Sequence, residues 1–348
     1  LIVAFAMYVA PVIAPGYDRS KLFFDWDAWH YMTIARDGYP PLYPPEGGYR
    51  AESAFFPLLP WVTRWVDAVT PFSLRQTAVG VALALSLASV VMLWFLAEAT
   101  LRDERAATRA VVLLVLWPSS VVLSMFYSDG LFILLGAACL LALRRERWLL
   151  AGLAALLATA SRPNAIALAP ACGVAALIAW RKTGSFRPFV APALAPLGML
   201  GYFVFLHVRM GDFFLWFKAE EQGWGAGGFD FGRHFVRVLL IDGLRNPTEH
   251  FDFLISGLAG LIGIALLVWA VRVRLPVEQI VYAGVALVLV LGAGFGASIP
   301  RYVMDAFPLF FAPALRVRDE GIAAWGFFSA GALACFTLVV ALTRLVTP

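Results

Sequence analysis

Residues 23–60 read FFDWDAWHYMTIARDGYPPLYPPEGGYRAESAFFPLLP. This is the first long polar break in an otherwise apolar chain. It carries Asp25, Asp27, His30 and Glu52 among an unusual density of Trp, Tyr, Phe and Pro. A connection that only joins two helices of a bundle is shorter, about 2–8 residues. The stretch therefore reads as a working loop, and the rest of the chain as the scaffold that holds it at one face of a bilayer.

Composition supplies that bilayer. Of 348 residues, 61% are hydrophobic and 14% charged, whereas a soluble domain carries about 25% charged residues. The mean hydropathy is +0.79. Apolar runs approaching ~20 residues recur to the end of the chain, which predicts an all-α polytopic membrane protein with one bilayer-embedded domain over residues 1–348. The sequence opens at Leu1 inside an apolar run, so the native chain is expected to start earlier, and no cleavable signal peptide can be read. Net charge is +4, from 24 Arg and 3 Lys against 23 acidic residues. The Arg bias, with abundant Ala and Gly, is that of a GC-rich genome and points to a bacterial source. Cys139, Cys172 and Cys335 lie within apolar runs at no metal-site or disulfide spacing, and read as packing residues.

About eleven apolar segments follow one another: 1–15, 77–99, 110–124, 131–143, 148–160, 165–180, 189–206, 251–271, 277–295, 303–315 and 322–342. Basic clusters at 102–109, 144–147, 181–187, 272–274 and 316–318 occupy alternate loops, which assigns those loops to the cytoplasm. The outer face then collects residues 16–76, YSDG (127–130), SRPN (161–164), 207–250 and SIPRY (298–302). Segment 148–160 gives only ~20 Å of helix, short of a ~30 Å bilayer core. The YSDG and SRPN tips are therefore expected below the outer surface. Irregular backbone there needs protein or a water-filled cavity around it, and Asp129, Arg162 and Asn164 are the expected lining. Tilted short helices with snorkelling polar residues give the same lengths.

Two amphipathic helices are expected along the interface inside the opening loop. One buries Ala28, Tyr31, Met32 and Ala35. The other has Phe55, Leu58, Leu59, Val62, Val66 and Val69 on one face and Thr63, Arg64 and Asp67 on the other. The linker PPLYPPEGG (40–48) between them reads as extended or turned.

Three chemistries fit Asp25 and Asp27. An aromatic surrounding raises a carboxylate pKa towards a general base's working range. Alternatively the aromatics form an interfacial belt and the carboxylates are merely solvated. A divalent cation held by the Asp-x-Asp pair is the third reading, but such a pair shares one side only when extended. On a helix the two project about 200° apart, so only one faces a cavity. No glycine-rich nucleotide-binding loop is present, and no nucleic-acid partner or required cofactor is expected.

The spacing Trp26-Asp27-Ala28-x-His30-x-x-x-Ile34-Ala35-x-x-Gly38-Tyr39, followed by Ala54-Phe55-Phe56-Pro57-x-x-Pro60, resembles the signature of the GPI mannosyltransferase II (PIG-V-like) family of GT-C glycosyltransferases. Four further blocks resemble that family in order: WPSSVVLSMFYSDGLF (117–132), ASRPNAI (160–166), FFLWFKAEEQGWG (213–225) and PRYVMDAFPLF (300–310). One departure is Asp129-Gly130 where Glu-Ser is expected.

The resemblance implies a multi-pass plasma-membrane enzyme with its site on the extracytoplasmic face. It implies mannose transfer, with inversion, from a polyprenyl-phosphate donor to a lipid or glycolipid acceptor. Asp27 matches the catalytic Asp of the first outer loop, with Asp25 and His30 beside it. Arg301 and Arg162 are the cations expected at the donor phosphate, helped by Tyr302 and Lys218, and Arg301 as a snorkelling anchor is the plainer alternative. Trp26, Glu52, Asp129, Asn164, Gln222 and Trp224 complete the substrate-binding set. Another polyprenyl-linked sugar, arabinofuranose or glucose, would suit the same pattern. A transporter of lipid-linked sugars fits less well, because no internal repeat is found and the polar residues gather on one face. The acceptor and the oligomeric state are not written in the sequence.

Overall fold

The computed structural model describes residues 8–9, 12, 21–39, 51–225, 228–245, 251–293 and 298–343. Linker 40–48 and most of the first apolar segment lie outside the described residues. The rest is helical, and its buried apolar side chains form one continuous core.

Four described helical segments are long and apolar enough to cross a membrane: Leu74–Leu101, Pro163–Thr183, Arg187–Met210 and Asp252–Arg272. A fifth crossing would be a broken one, because Glu104–Val115 and Pro118–Ser124 meet at 87°. Pro118 causes the break, since it cannot donate within a helix and disfavours helix at Trp117. Trp148–Thr159 and Val277–Gly292 are apolar but shorter.

The expected segment 303–315 is not a regular span. It folds as three short pieces, Ile299–Asp305, Phe307–Phe310 and Phe311–Ala314, and every residue from Val303 to Ala314 is buried. Its apolar character serves protein packing rather than lipid contact, and Pro308 and Pro313 interrupt the helical ladder.

Helix ends sort the charged residues. Arg144, closing helix Asp129–Arg144, pairs with Glu278 at 3.7 Å and donates to the Ala99 carbonyl at 3.1 Å. Gln279 donates to Thr100 Oγ1 at 2.7 Å. The basic loops after residues 101 and 144 thus share one end of the bundle with the start of Val277–Gly292. Asp129, Arg162 and Ser298 sit at the other ends of their helices, so the polar tips gather opposite the basic clusters.

The opening stretch is tied to that polar end at several points. The Phe126 amide donates to the Phe23 carbonyl at 3.0 Å, and the Leu58 amide to Ala160 at 3.3 Å. The Tyr202 hydroxyl donates to the Ser53 and Phe55 carbonyls at 2.9 and 3.0 Å. Helix Asp27–Asp37 buries Ala28, Tyr31, Met32 and Ala35 as expected, and Ile34 besides. The second helix, Leu58–Asp67, departs from expectation. Thr63 faces inward, fully buried and bonded to the Leu59 carbonyl, while Trp65 stays exposed.

Gly130 shows why the chain departs from Glu-Ser there. A Cβ at Gly130 would lie 3.0 Å from both the Ser86 Cα and its backbone nitrogen. Helix Asp129–Arg144 can press on Leu74–Leu101 only without that side chain. Gly130→Ala is expected to destabilise the protein by about 1–3 kcal/mol through overpacking. Gly201→Ala, with nothing within 4 Å of the new methyl, leaves it unchanged. Thermal unfolding in detergent compares the two.

Candidate active site

Asp27 is the first residue of helix Asp27–Asp37, at the end where a carboxylate is favoured by the helix dipole. The residue before it, Trp26, has φ 54°. Such a conformation costs about 1–3 kcal/mol in a bulky residue and recurs at functional sites. It ends the helix at Asp27, so Asp25 lies outside the helix. The two carboxylates are therefore separated by a strained peptide rather than by a helical turn. Ser298, just before helix Ile299–Asp305, likewise has φ 64°.

These two helices meet. Arg301 donates from Nη1 to Asp27 Oδ2 at 2.6 Å and from Nε to Asp129 Oδ1 at 2.9 Å. Asp129 Oδ1 also accepts from Arg162 Nη1 at 2.5 Å, and Arg162 reaches Asp305 at 3.3 Å. The result is an alternating chain, Asp27–Arg301–Asp129–Arg162–Asp305. Arg162, Asp129 and Asp305 are buried, and only Asp27, at 26% side-chain exposure, opens towards solvent. Tyr rings complete the setting: the Arg301 guanidinium lies 4.5 Å over Tyr127 and 5.8 Å over Tyr302.

A cavity of about 170 Å³ opens in front of Asp27. Arg301, Tyr302, Tyr127 and Ser298 form one wall. Trp26, His30, Phe55, Trp224 and Glu220 form the rest. His30 stacks on Phe55 at 4.6 Å and meets the edge of Trp224 at 6.0 Å. Burial lowers the His30 pKa, against the opposing pull of Asp27 and Glu52, so the imidazole stays neutral at pH 7. Burial pushes the Glu220 carboxyl up to about 8, and the negative charge of Asp27 adds to the rise.

Of the residues expected from sequence, Trp26, Asp27, His30, Trp224, Arg301 and Tyr302 come together in this cavity. Asp129 and Arg162 do not line it. They sit behind Arg301, since Asp129 is committed to two guanidiniums. Asn164 lies beside Asp305, also behind it. Glu52 is half-buried near His30. Lys218 pairs with Asp212 at 2.5 Å on an exposed surface, and Gln222 is exposed; neither lines the cavity. Asp25 does not line it either. Among the described residues no group of three or more His, Cys, Asp and Glu is placed to hold a metal ion.

Glu220, Tyr127 and Asp305 were missed. Glu220 had one available signal: it falls on one helical face with Trp216 and Trp224, at i, i+4 and i+8.

Described helices of this length, a broken span and a charged site gathered at one end belong to a known membrane architecture. The Archaeoglobus fulgidus oligosaccharyltransferase in its apo form is similar over 98% of this chain, at 14% identity and a TM-score of 0.51. The same enzyme tethered to an acceptor peptide containing the NVT sequon matches at 15% identity over 98% of this chain, with a TM-score of 0.46. This chain spans about half the length of those proteins, 55% and 54%. No curated protein matches the sequence. The likeness is one of fold: all-helical and GT-C-like.

The chain is also similar to the PIG-V mannosyltransferases over just under half of its length. The family model described as mannosyltransferase (PIG-V) matches residues 11–178, which include Asp27, Asp129 and Arg162.

The network predicts a stability difference. Asp129→Ala leaves two buried guanidiniums without their shared anion and is expected to cost about 3–5 kcal/mol. Asp37→Ala, which removes only the exposed pair with Arg36, leaves the unfolding transition in place. Thermal melts of the purified proteins decide.

Proposed function

We propose that the protein is an inverting mannosyltransferase. It moves mannose from a polyprenyl-phosphate donor to an acceptor hydroxyl at the extracytoplasmic face of the plasma membrane. The observation that carries this reading is the Asp27–Arg301 pair at 2.6 Å, half-open at the mouth of an aromatic cavity. A general base and a phosphate-binding cation are the two groups such a transfer needs in one cavity.

Asp27 takes the proton of the acceptor hydroxyl. The freed oxygen bonds to the anomeric carbon from the face opposite the phosphate. The bond from that carbon to the phosphate oxygen breaks, and its electron pair leaves with the polyprenyl phosphate. Arg301 stabilises the charge that develops there. Its Nε is held by Asp129 and its Nη1 by Asp27, and Nη2 makes no hydrogen bond among the described residues. The guanidinium is thus fixed in orientation before substrate arrives, as electrostatic stabilisation of a transition state requires.

Support for the outward orientation is the separation of this site from the basic helix ends, which the positive-inside rule assigns to the cytoplasm. Cysteines placed at exposed Gly228 and Thr183, in a Cys335→Ser background, test it. In intact cells an impermeant thiol reagent should label residue 228 and not 183. The opposite pattern inverts the assignment.

Asp27→Asn keeps the side chain's shape and removes the base. It is expected to retain donor binding while losing transfer by about 10²–10⁴-fold. Radiolabelled transfer from polyprenyl-phosphate mannose measures the loss, and a fully active variant would take Asp27 out of the reaction.

A further inference from the structure

The cavity has two carboxyls, and the reaction above uses one. Glu220 stands on helix Leu215–Trp224, in the second long loop. That helix is docked on the opening stretch by Trp216, whose Nε1 donates to the Ala54 carbonyl at 3.1 Å, and by the fully buried Leu215 and Ala219. The docking face continues one turn on to Glu220 and two turns on to Trp224, both of which line the cavity. Glu221 and Gln222, its neighbours, are exposed. Unlike Asp27, Glu220 has no hydrogen bond and no ion pair among the described residues. A half-buried carboxyl facing a polar cavity without a partner is a group waiting for a ligand's hydrogen bond.

The cavity's walls tell which ligand. Arg301, with Tyr127 and Tyr302 beneath it, is the cationic wall and suits the donor phosphate. His30, Phe55 and Trp224 pack on one another as an aromatic wall, with ring centroids 4.6 to 6.0 Å apart. Inversion requires the attacking hydroxyl to approach from the side away from the phosphate. Resting on the function proposed above, we infer that Glu220 is a substrate-contacting residue that holds a hydroxyl of the acceptor against the aromatic wall, next to Asp27. A neutral carboxyl there both donates and accepts a hydrogen bond, as a hydroxyl partner requires.

The charge environment gives the inference a pH signature. The groups facing Glu220 are Asp27 and His30 from the opening helix, Arg301 and Tyr302 from Ile299–Asp305, Tyr127, and Tyr202. On its own helix, Lys218 is turned to Asp212. Glu220 is protonated below about pH 8 and becomes an anion above it. Ionised, it adds a second negative charge beside Asp27 and loses its donor. Acceptor affinity should therefore fall as pH rises through that range. Burial moves the His30 pKa downward, away from that range.

The test is steady-state transfer from polyprenyl-phosphate mannose to a working acceptor, with separate KM values for donor and acceptor between pH 6 and 9.5, for wild type, Glu220→Ala and Glu220→Gln. Glu220→Ala is expected to raise the acceptor KM about tenfold or more and to leave the donor KM unchanged. Glu220→Gln, which keeps a donor and an acceptor but cannot ionise, should raise the acceptor KM less than Glu220→Ala at pH 7 and lose the alkaline decline. An unchanged acceptor KM in Glu220→Ala, a shift in the donor KM instead, or an alkaline limb that persists in Glu220→Gln overturns the inference while leaving the proposed activity standing. A wild-type protein that transfers nothing from this donor removes the proposed activity, and the role of Glu220 with it.

Discussion

One carboxylate oxygen carries the polar half of this structure. Asp129 Oδ1 accepts from Arg162 at 2.5 Å and from Arg301 at 2.9 Å, and all three side chains are buried. Burying two guanidiniums without a counter-charge would be prohibitive, and two cations side by side repel. Asp129 between them, with Asp27 and Asp305 at the ends, alternates the signs. That solution fixes geometry as well as charge. Arg301 is planar and gripped at Nε from behind, so its remaining N–H groups can aim only forward, at Asp27 and the cavity. Asp129 follows the broken span, Arg162 precedes the turn Pro163–Ala167, and Arg301 lies on the short helix Ile299–Asp305. The contact therefore locks three distant parts of the chain into one register.

The strain at the cavity fits the same arrangement. Trp26 and Ser298 hold left-handed backbone immediately before the helices of Asp27 and Arg301, and both line the cavity. Each reorients the chain by a single residue, which lets Asp27 begin its helix facing Arg301 while Asp25 turns aside. Such backbone persists only where the surroundings over-determine it. Here the bonds from Phe126 to Phe23 and from the Asp27 amide to the Tyr127 hydroxyl, at 3.0 and 3.3 Å, hold the opening stretch on both sides of Trp26.

Much of this was legible in sequence, and the reasons differ by residue. Asp27, His30 and Trp26 were visible because a polar, aromatic break in an apolar chain has few structural excuses. Arg301 was singled out through the family resemblance of PRYVMDAFPLF and its place on the outer face, where a donor phosphate needs a cation. Hydropathy misled at 303–315, since it reports removal from water and cannot tell lipid from protein; the prolines there were the warning. Asp129 and Arg162 were found but misplaced, because sequence shows a charge at membrane depth and not which charge neutralises it. Lys218 was singled out and Glu220 overlooked for a related reason. A basic residue invites pairing with phosphate on paper, yet Lys218 faces solvent and Asp212, two residues round the helix from the docking face. Glu220 is on that face, and only its spacing from Trp216 and Trp224 could have said so.

The two walls of the cavity have consequences for the chemistry. The cationic wall is rigid: its guanidinium is tied to buried groups and cannot follow a ligand far. The aromatic wall is assembled from the opening stretch and the 215–224 helix, joined by the Trp216 bond and by ring contacts rather than by ion pairs. Ring contacts are weaker and less directional than a charge-assisted hydrogen bond. Any adjustment to differing ligands therefore falls to the aromatic side, and the cationic side keeps its geometry. Asp27 lies at the seam, bonded to the rigid wall but carried by the helix that also bears His30. Under the proposed transfer, a base in that position would stay aligned with the leaving group even as the opposite wall gives, as an in-line displacement requires.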